Sequence, residues 1–247
     1  MSGSLQPRNP RQLVVMARWP APGRCKTRLA VGTGPRRAAA IQARLTAHCL
    51  AAARQLVTLA AAGGPTAAPD LVLAVDGLGR RAAQRWSRTY AGPRLAGPRF
   101  AEPRFAEPRF AELRMRRQGP GSLAVRLRRQ VGQARREGAR AVVVVGSDLP
   151  TLQARDLLAA FEALERVPLV LGPARDGGYW LIGLAGAALA SSGPAVQLFC
   201  GRDRSIAWGS DRVLSQTLAA AAAAHLPWQL LAEHGDLDRP EDLRSWR

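Results

Sequence analysis

Lysine is almost missing from this sequence: Lys26 is the only one among 36 basic residues, and every other basic side chain is arginine. Aromatic residues are scarce as well, at 5%. Readers of single-stranded nucleic acid interleave stacking rings with basic groups, and no such stripe is present. The formal net charge of +18 would otherwise point to nucleic acid. Arginines scattered over helices and a repeat fit an Arg- and Ala-rich composition with a solvated basic surface better. A nucleic-acid-binding protein is therefore the last-ranked reading, and it would demand a steep fall of affinity with salt. Cysteine is limited to Cys25, Cys49 and Cys200, widely spaced and without a CxxC pair. This argues against a disulfide framework or a zinc site and fits a reducing, cytoplasmic setting. No apolar run reaches the roughly 18 residues that a membrane span needs. The stretch MSGSLQPRNPRQ lacks the apolar centre of a signal peptide. Two phosphate-binding signatures, the P-loop GxxxxGKS/T and the dinucleotide GxGxxG, are absent too.

What is present alternates between two kinds of segment. Short apolar runs at 11–17, 70–77, 141–148, 169–174, 179–184 and 228–238 read as strands, the last with its exit loop. Between them, 35–62, 79–88, 119–139, 153–166 and 210–225 read as helices, with Ser210 or Asp211 able to cap the last. RPEDLRSW starts a closing helix. This alternation predicts an α/β fold around an open, mostly parallel sheet, a single domain over 11–247 with 1–10 as a disordered tail. Residues 91–115 form five tandem pentads, AGPRL AGPRF AEPRF AEPRF AELRM. A proline at every fifth position excludes a regular helix or a central strand, so the repeat reads as an exposed insertion without a chemical role.

Sheets of this kind bind ligands at the carboxyl ends of their strands. Three polar loops leave strands in that way: RWPAPGRCKTRL, GSDLPTL and GDLDRPED. In the first, glycine and backbone N–H groups at a strand-to-helix turn approach a phosphate closely. Lys26 adds a point charge and Arg28 a planar fork. An exposed loop lysine would carry no core packing, so Lys26→Arg should leave stability nearly unchanged. Asp148 stands where a strand leaves the sheet, placed either to hold a hard divalent cation or to cap the next helix. Asp236 and Asp238, two apart, would share one side of an extended chain, and Asp238 too could be a cap. Asp176 precedes paired glycines in a hairpin-like turn, where ordinary turn chemistry accounts for it when taken alone.

Taken together, PAPGRCKTRLA, GSDLPTL, LGPARDGGYWLIGL and GDLDRPEDL, in that order from Leu13 to Leu243, resemble a bacterial family of GT-A-like transferases. Its members are often labelled glycosyltransferase of arsenosugar biosynthesis or selenodomain-associated transferase 1. More distantly the set is similar to molybdenum-cofactor nucleotidyltransferases, phospholactate guanylyltransferase and sugar-acid cytidylyltransferases. The resemblance implies a GT-A nucleotide-diphosphosugar transferase fold, a mixed, mainly parallel sheet between helices. It implies that the loop with Ala21, Pro22 and Gly23 wraps a nucleotide, with Lys26 and Arg28 at its phosphates. It implies that Asp148 stands in for a DxD-type ligand of Mg²⁺ or Mn²⁺, with Asp238 as the second metal ligand. Asp176, Gly177, Gly178 and Tyr179 would line the acceptor side, with Asp176 as the base for an acceptor hydroxyl. The implied partners are a nucleotide sugar, or a nucleotide, and a small-molecule acceptor. Two segments depart from the family pattern. GSLAVRL (121–127) replaces a GDLGERM-like stretch, and WGS (208–210) replaces WST. The implied activity is a metal-dependent glycosyltransferase. The rival is a nucleotidyltransferase, which the same loop and acids would serve.

Overall fold

A computed structural model of the protein describes residues 10–62, 64, 67–89, 113–190, 198–199 and 206–246. The N-terminal segment and nearly all of the pentad repeat fall outside these residues.

Seven strands form one sheet in the order β3-β2-β1-β4-β6-β5-β7. They are β1 (Arg11–Arg18), β2 (Asp70–Asp76), β3 (Arg114–Arg117), β4 (Ala141–Gly146), β5 (Leu169–Pro173), β6 (Tyr179–Ala185) and β7 (Trp228–Leu230). Only β6 runs against its neighbours, β4 and β5; the pairs β1·β2, β1·β4, β2·β3 and β5·β7 are parallel. The expected mixed, mainly parallel α/β sheet is therefore what forms. The turn 174–178 joins β5 to β6 as a hairpin, with Ala174 N–H donating to the Gly178 carbonyl at 3.0 Å.

The central strands are apolar on both faces, as a sheet covered on both sides requires. Leu13, Val15 and Ala17 of β1 pack with helix α2 (Pro35–Ala61) and helix α5 (Ala154–Ala163). Val14 points the other way, toward α4 (Leu123–Arg136) and α6 (Val213–Ala223). The alternation is the pleat itself. Helix α3 (Arg80–Arg88) joins the first layer through Ala83 and Trp86. A third cluster seats helix α1 (Thr27–Thr33) and the 3₁₀ turn Pro240–Ser245 on α2, through Leu29, Ile41, Leu45 and Leu237, with Leu243 against them. No described helix is long and apolar enough to cross a membrane.

Two elements differ from the sequence expectation. Helix α1 begins at Thr27, so Arg28 belongs to a first helical turn and not to a loop. Strand β3 takes Arg114 and Met115 from the last pentad. That pentad alone has leucine where the other four have proline, and a parallel edge strand tolerates the change in pattern.

Candidate active site

Chain order reverses across the sheet between β1 and β4. From β1 the chain steps outward to β2 and β3, then returns to β4 on the other side. A crevice opens outside the strand ends at such a switch point. Here it is a cleft of about 550 Å³, lined from β1, β2, β4 and the start of β6.

Lys26 and Asp148 meet across that crevice. Lys26 Nζ lies 3.1 Å from Asp148 Oδ1, with the lysine side chain 3% exposed and the aspartate 45% exposed. The lysine backbone is left-handed, at φ 48° and ψ 47°, a conformation that costs an L-residue about 1–2 kcal/mol. Its carbonyl accepts the Ala30 N–H at 2.9 Å, so this strained residue is the point where the loop becomes α1. The expected exposed loop lysine is thus corrected: packing buries the side chain, which still lines the cleft at its ion pair. Beside it, Arg28 Nη1 lies 3.0 Å from Asp238 Oδ2.

Neither aspartate is a helix cap. At α5 the Gln153 N–H donates to Asp156 Oδ2 at 2.8 Å. At the final 3₁₀ turn Asp242 Oδ2 accepts the Asp238 and Arg239 N–H groups at 2.9 and 2.6 Å. The capping work falls to Asp156 and Asp242, and this leaves the carboxylates of Asp148 and Asp238 to the cleft. The two loops are also joined, because Leu237 N–H donates to the Asp148 carbonyl at 2.9 Å.

The remaining sequence candidates separate. Cys25 to Arg28 line the cleft. Ala21, Pro22 and Gly23 do not; they form the outer turn, where Arg24 N–H donates to the Ala21 carbonyl at 3.0 Å. Tyr179 lines the main cleft, its ring edge-on to Trp208, and burial pushes its hydroxyl pKa up. Asp176 lines a second pocket of about 360 Å³, which shares Arg28 and Asp238 with the cleft. Its Oδ1 accepts the Gly178 N–H at 3.0 Å. Asp236 lines the same pocket; burial, then the nearby charge of Asp176, raise its pKa. Gly177 is enclosed: a Cβ there would fall 2.0 Å from the Asp211 carbonyl oxygen, at φ +83°. Gly178 lies at the same turn and lines neither pocket.

Four cleft residues went unread in the sequence. Asp76 closes β2, and Arg126 of α4 donates to its Oδ2 at 2.6 Å. Arg18 stands 3.4 Å from the same carboxylate. Asp76 could have been found by the strand-end argument applied to Asp148, and Arg126 by its place in the departing segment 121–127. Gln42 of α2 is buried and donates to Ser147 Oγ at 3.2 Å, bracing the residue before Asp148. Gln118 donates to the Ala17 and Ala74 carbonyls at 3.1 and 3.0 Å, tying β1 to β2 at their exits. No pattern signals those two glutamines, because their partners come from distant segments.

Carboxylate oxygens are the ligands that a hard divalent cation takes. Asp148 Oδ1 is buried and accepts no hydrogen bond, so Lys26 is its only neighbour of opposite charge among the described ion pairs. Among the described residues no group of three or more His, Cys, Asp or Glu is placed to hold a metal ion by itself. Two carboxylates are what Mg²⁺ sites commonly use, with waters and substrate phosphates completing the octahedron.

Known proteins agree with this architecture. A protein from Desulfovibrio desulfuricans G20, named provisionally as a nucleotide-diphospho-sugar transferase, superposes with a TM-score of 0.67 at 22% identity over 94% of this chain and 83% of that one. The 4-diphosphocytidyl-2C-methyl-D-erythritol synthase of Anaerococcus prevotii DSM 20548 gives a TM-score of 0.54 at 10% identity, over 96% and 97% of the two chains. At such identities the likeness establishes the fold, that of nucleotide-diphospho-sugar transferases. No curated protein matches the sequence. The family model described as an uncharacterized protein conserved in bacteria, DUF2064, matches residues 58–210, which include Asp76, Arg126, Asp148 and Tyr179. That match spans more than half of the 247 residues, and the chain belongs to the DUF2064 family.

Proposed function

We propose that the protein is a metal-dependent transferase that takes a nucleotide-sugar donor and passes the sugar to a small-molecule acceptor. The observation that carries this reading is the Lys26–Asp148 pair at the β1/β4 switch point, at 3.1 Å. It puts a phosphate-binding cation and a metal-binding carboxylate side by side where such sheets bind ligands. The Arg28–Asp238 pair at 3.0 Å repeats the arrangement one step away. The shared fold with a protein provisionally named as a nucleotide-diphospho-sugar transferase, and with a 4-diphosphocytidyl-2C-methyl-D-erythritol synthase, supports the broader class of nucleotide-dependent transferases.

In this reading Lys26 and Arg28 bind the donor's phosphate oxygens, and Asp148 and Asp238 hold Mg²⁺ or Mn²⁺. The cation supplies Lewis-acid stabilisation of charge on the departing nucleotide. Lys26 and Arg28 stabilise that charge from the protein side. The acceptor occupies the second pocket, on the far side of the Arg28–Asp238 pair. There Asp176, oriented by the Gly178 N–H, takes the proton of an acceptor hydroxyl. Gly177 and Gly178 shape the turn that carries it, and Tyr179 follows that turn into the wall of the main cleft.

Thermal shift with a panel of nucleotides and nucleotide sugars, each with Mg²⁺ or Mn²⁺, tests the binding claim by mass action. A rise in melting temperature with a nucleotide sugar and metal is the expected result; no shift with any member refutes it. Product analysis then separates the chemistries. Free nucleoside diphosphate marks sugar transfer, and pyrophosphate from a nucleoside triphosphate would move the assignment to nucleotidyl transfer.

A further inference from the structure

We infer that Lys26 and Arg28 are internal occupants of the metal site, which keep a divalent cation out until a phosphate draws them off. The inference rests on the transferase reading and names the form in which its site takes a ligand: the cation–phosphate complex, in preference to either component alone.

Each carboxylate assigned to the metal already carries a protein cation. Lys26 Nζ is 3.1 Å from Asp148 Oδ1, and Arg28 Nη1 is 3.0 Å from Asp238 Oδ2. Like charges repel strongly at such range in a partly buried site. A metal ion arriving at Asp148 must therefore displace the ammonium. The lysine has nowhere to go, for its side chain is 3% exposed and makes no second ion pair among the described residues. Leaving it buried and unpaired is costly. A phosphate arriving alone meets the complementary obstacle, since Asp148 and Asp238 repel it and already engage the cations it needs.

Together the two ligands exchange partners with the protein. The phosphate oxygens take Lys26 and Arg28, the metal takes Asp148 and Asp238, and metal and phosphate bind each other. No charge is stranded. The backbone bond from Leu237 N–H to the Asp148 carbonyl, at 2.9 Å, links the loops that carry the two carboxylates, so both pairs open onto one exchange. Linkage makes the effect reciprocal: each ligand raises the affinity of the other by the same factor.

The inference predicts effects of opposite sign from one substitution. Free Mn²⁺ is followed by electron paramagnetic resonance as the protein is titrated, with Mn²⁺ alone and with pyrophosphate, after correction for the complex they form in solution. The wild type should hold Mn²⁺ alone weakly, and at least about fivefold more tightly with pyrophosphate. Lys26→Met should hold Mn²⁺ alone about tenfold more tightly than wild type, the scale of removing one nearby like charge, and should bind pyrophosphate more weakly. Adding Asp148→Asn should abolish the gain. Arg28→Ala, at a side chain 68% exposed where folding is not at stake, should move Mn²⁺ affinity in the same direction by a smaller factor. If neither Lys26→Met nor Arg28→Ala holds Mn²⁺ more tightly than wild type, or if Mn²⁺ and pyrophosphate bind the wild type independently, the inference fails and the transferase reading stands. If the wild type takes up Mn²⁺ neither alone nor with pyrophosphate or a nucleoside diphosphate, the transferase reading fails and takes the inference with it.

Discussion

The Leu237 N–H donates to the Asp148 carbonyl at 2.9 Å. This bond joins the exit of β4 to the loop after β7, across 89 positions of sequence, and sets Asp148 and Asp238 at one cleft. It brings two carboxylates from separate motifs to one cleft, as the proposed metal site requires, and the first prediction below depends on that arrangement.

Asp148→Asn should abolish metal-dependent nucleotide binding and also lower the melting temperature, since it leaves the ammonium of the 3% exposed Lys26 without its ion-pair partner. Calorimetric titration with Mn²⁺ and nucleotide measures it. Asp156→Asn is a poor control, because the Asp156 carboxylate accepts the Gln153 N–H at the start of α5 and faces His234 at 3.6 Å. Exposed Glu162 on α5 is the better one, and Glu162→Gln should bind as wild type does. Metal affinity unchanged in Asp148→Asn would remove Asp148 from the site.

Lys26→Arg should now lose stability as well as binding. The side chain is 3% exposed, and forcing a larger head into a packed space costs about 1–3 kcal/mol. Denaturant unfolding reads the first effect and nucleotide titration the second. A variant as stable as wild type would mean that the loop yields at this point.

Gly177→Ala should destabilise the protein by about 3 kcal/mol or more, summing a left-handed backbone penalty and overpacking. The position sits at φ +83°, and its Cβ would fall 2.0 Å from the Asp211 carbonyl oxygen. Gly23→Ala meets nothing within 4 Å and should cost only the backbone part, about 1 kcal/mol. Paired thermal melts compare the two; equal losses would overturn the packing argument.

Glu137 should make the fold sensitive to acid. Burial would raise its pKa, but the hydrogen bond from Gln133 and the charges of Arg116 and Arg114 outweigh that, so it lies below the ordinary 4.5. A depressed native pKa contributes stability that is fully present above the unfolded value and is lost as pH falls through the native one. Glu137→Gln removes the carboxylate that Arg114 and Arg116 share at the edge of the sheet. It should cost about 3 kcal/mol at pH 7, the scale of breaking a largely buried ion pair. The gap between variant and wild type should close below pH 4.5. Urea titrations at several pH values measure it, and a pH-independent gap would rule the linkage out.

The fold was legible where one segment's own chemistry decides its form. The run AVVVVG reads as a buried strand and becomes β4. Asp70–Asp76 and Tyr179–Ala185 likewise lie where their apolar runs put them. Strand β3 was missed because RMRR has no apolar pattern. Its arginines are held by acids from elsewhere: Arg114 by Asp70 and Glu137, and Arg116 by Glu137. Helix α1 was missed because a Pro/Gly-rich loop runs into it without a capping side chain.

At the site, residue identity and position after a strand made Lys26, Arg28 and Asp148 candidates, and the resemblance to GT-A-like transferases added Asp238 in preference to Asp236; all four line the cleft. Only the tertiary structure decided which of them meet. Lys26 pairs with Asp148 and Arg28 with Asp238, while Asp156 and Asp242 take the caps. It also decided that Lys26 is buried, that Ala21 to Gly23 stand off the cleft, and that Asp76, Arg126, Gln42 and Gln118 belong to its walls. The physical reason is range. A strand or helix period repeats within a few residues and is written locally, whereas an ion pair or a buried hydrogen bond needs two groups that only the register of the sheet and the packing of α2 and α4 bring within 3 Å or so.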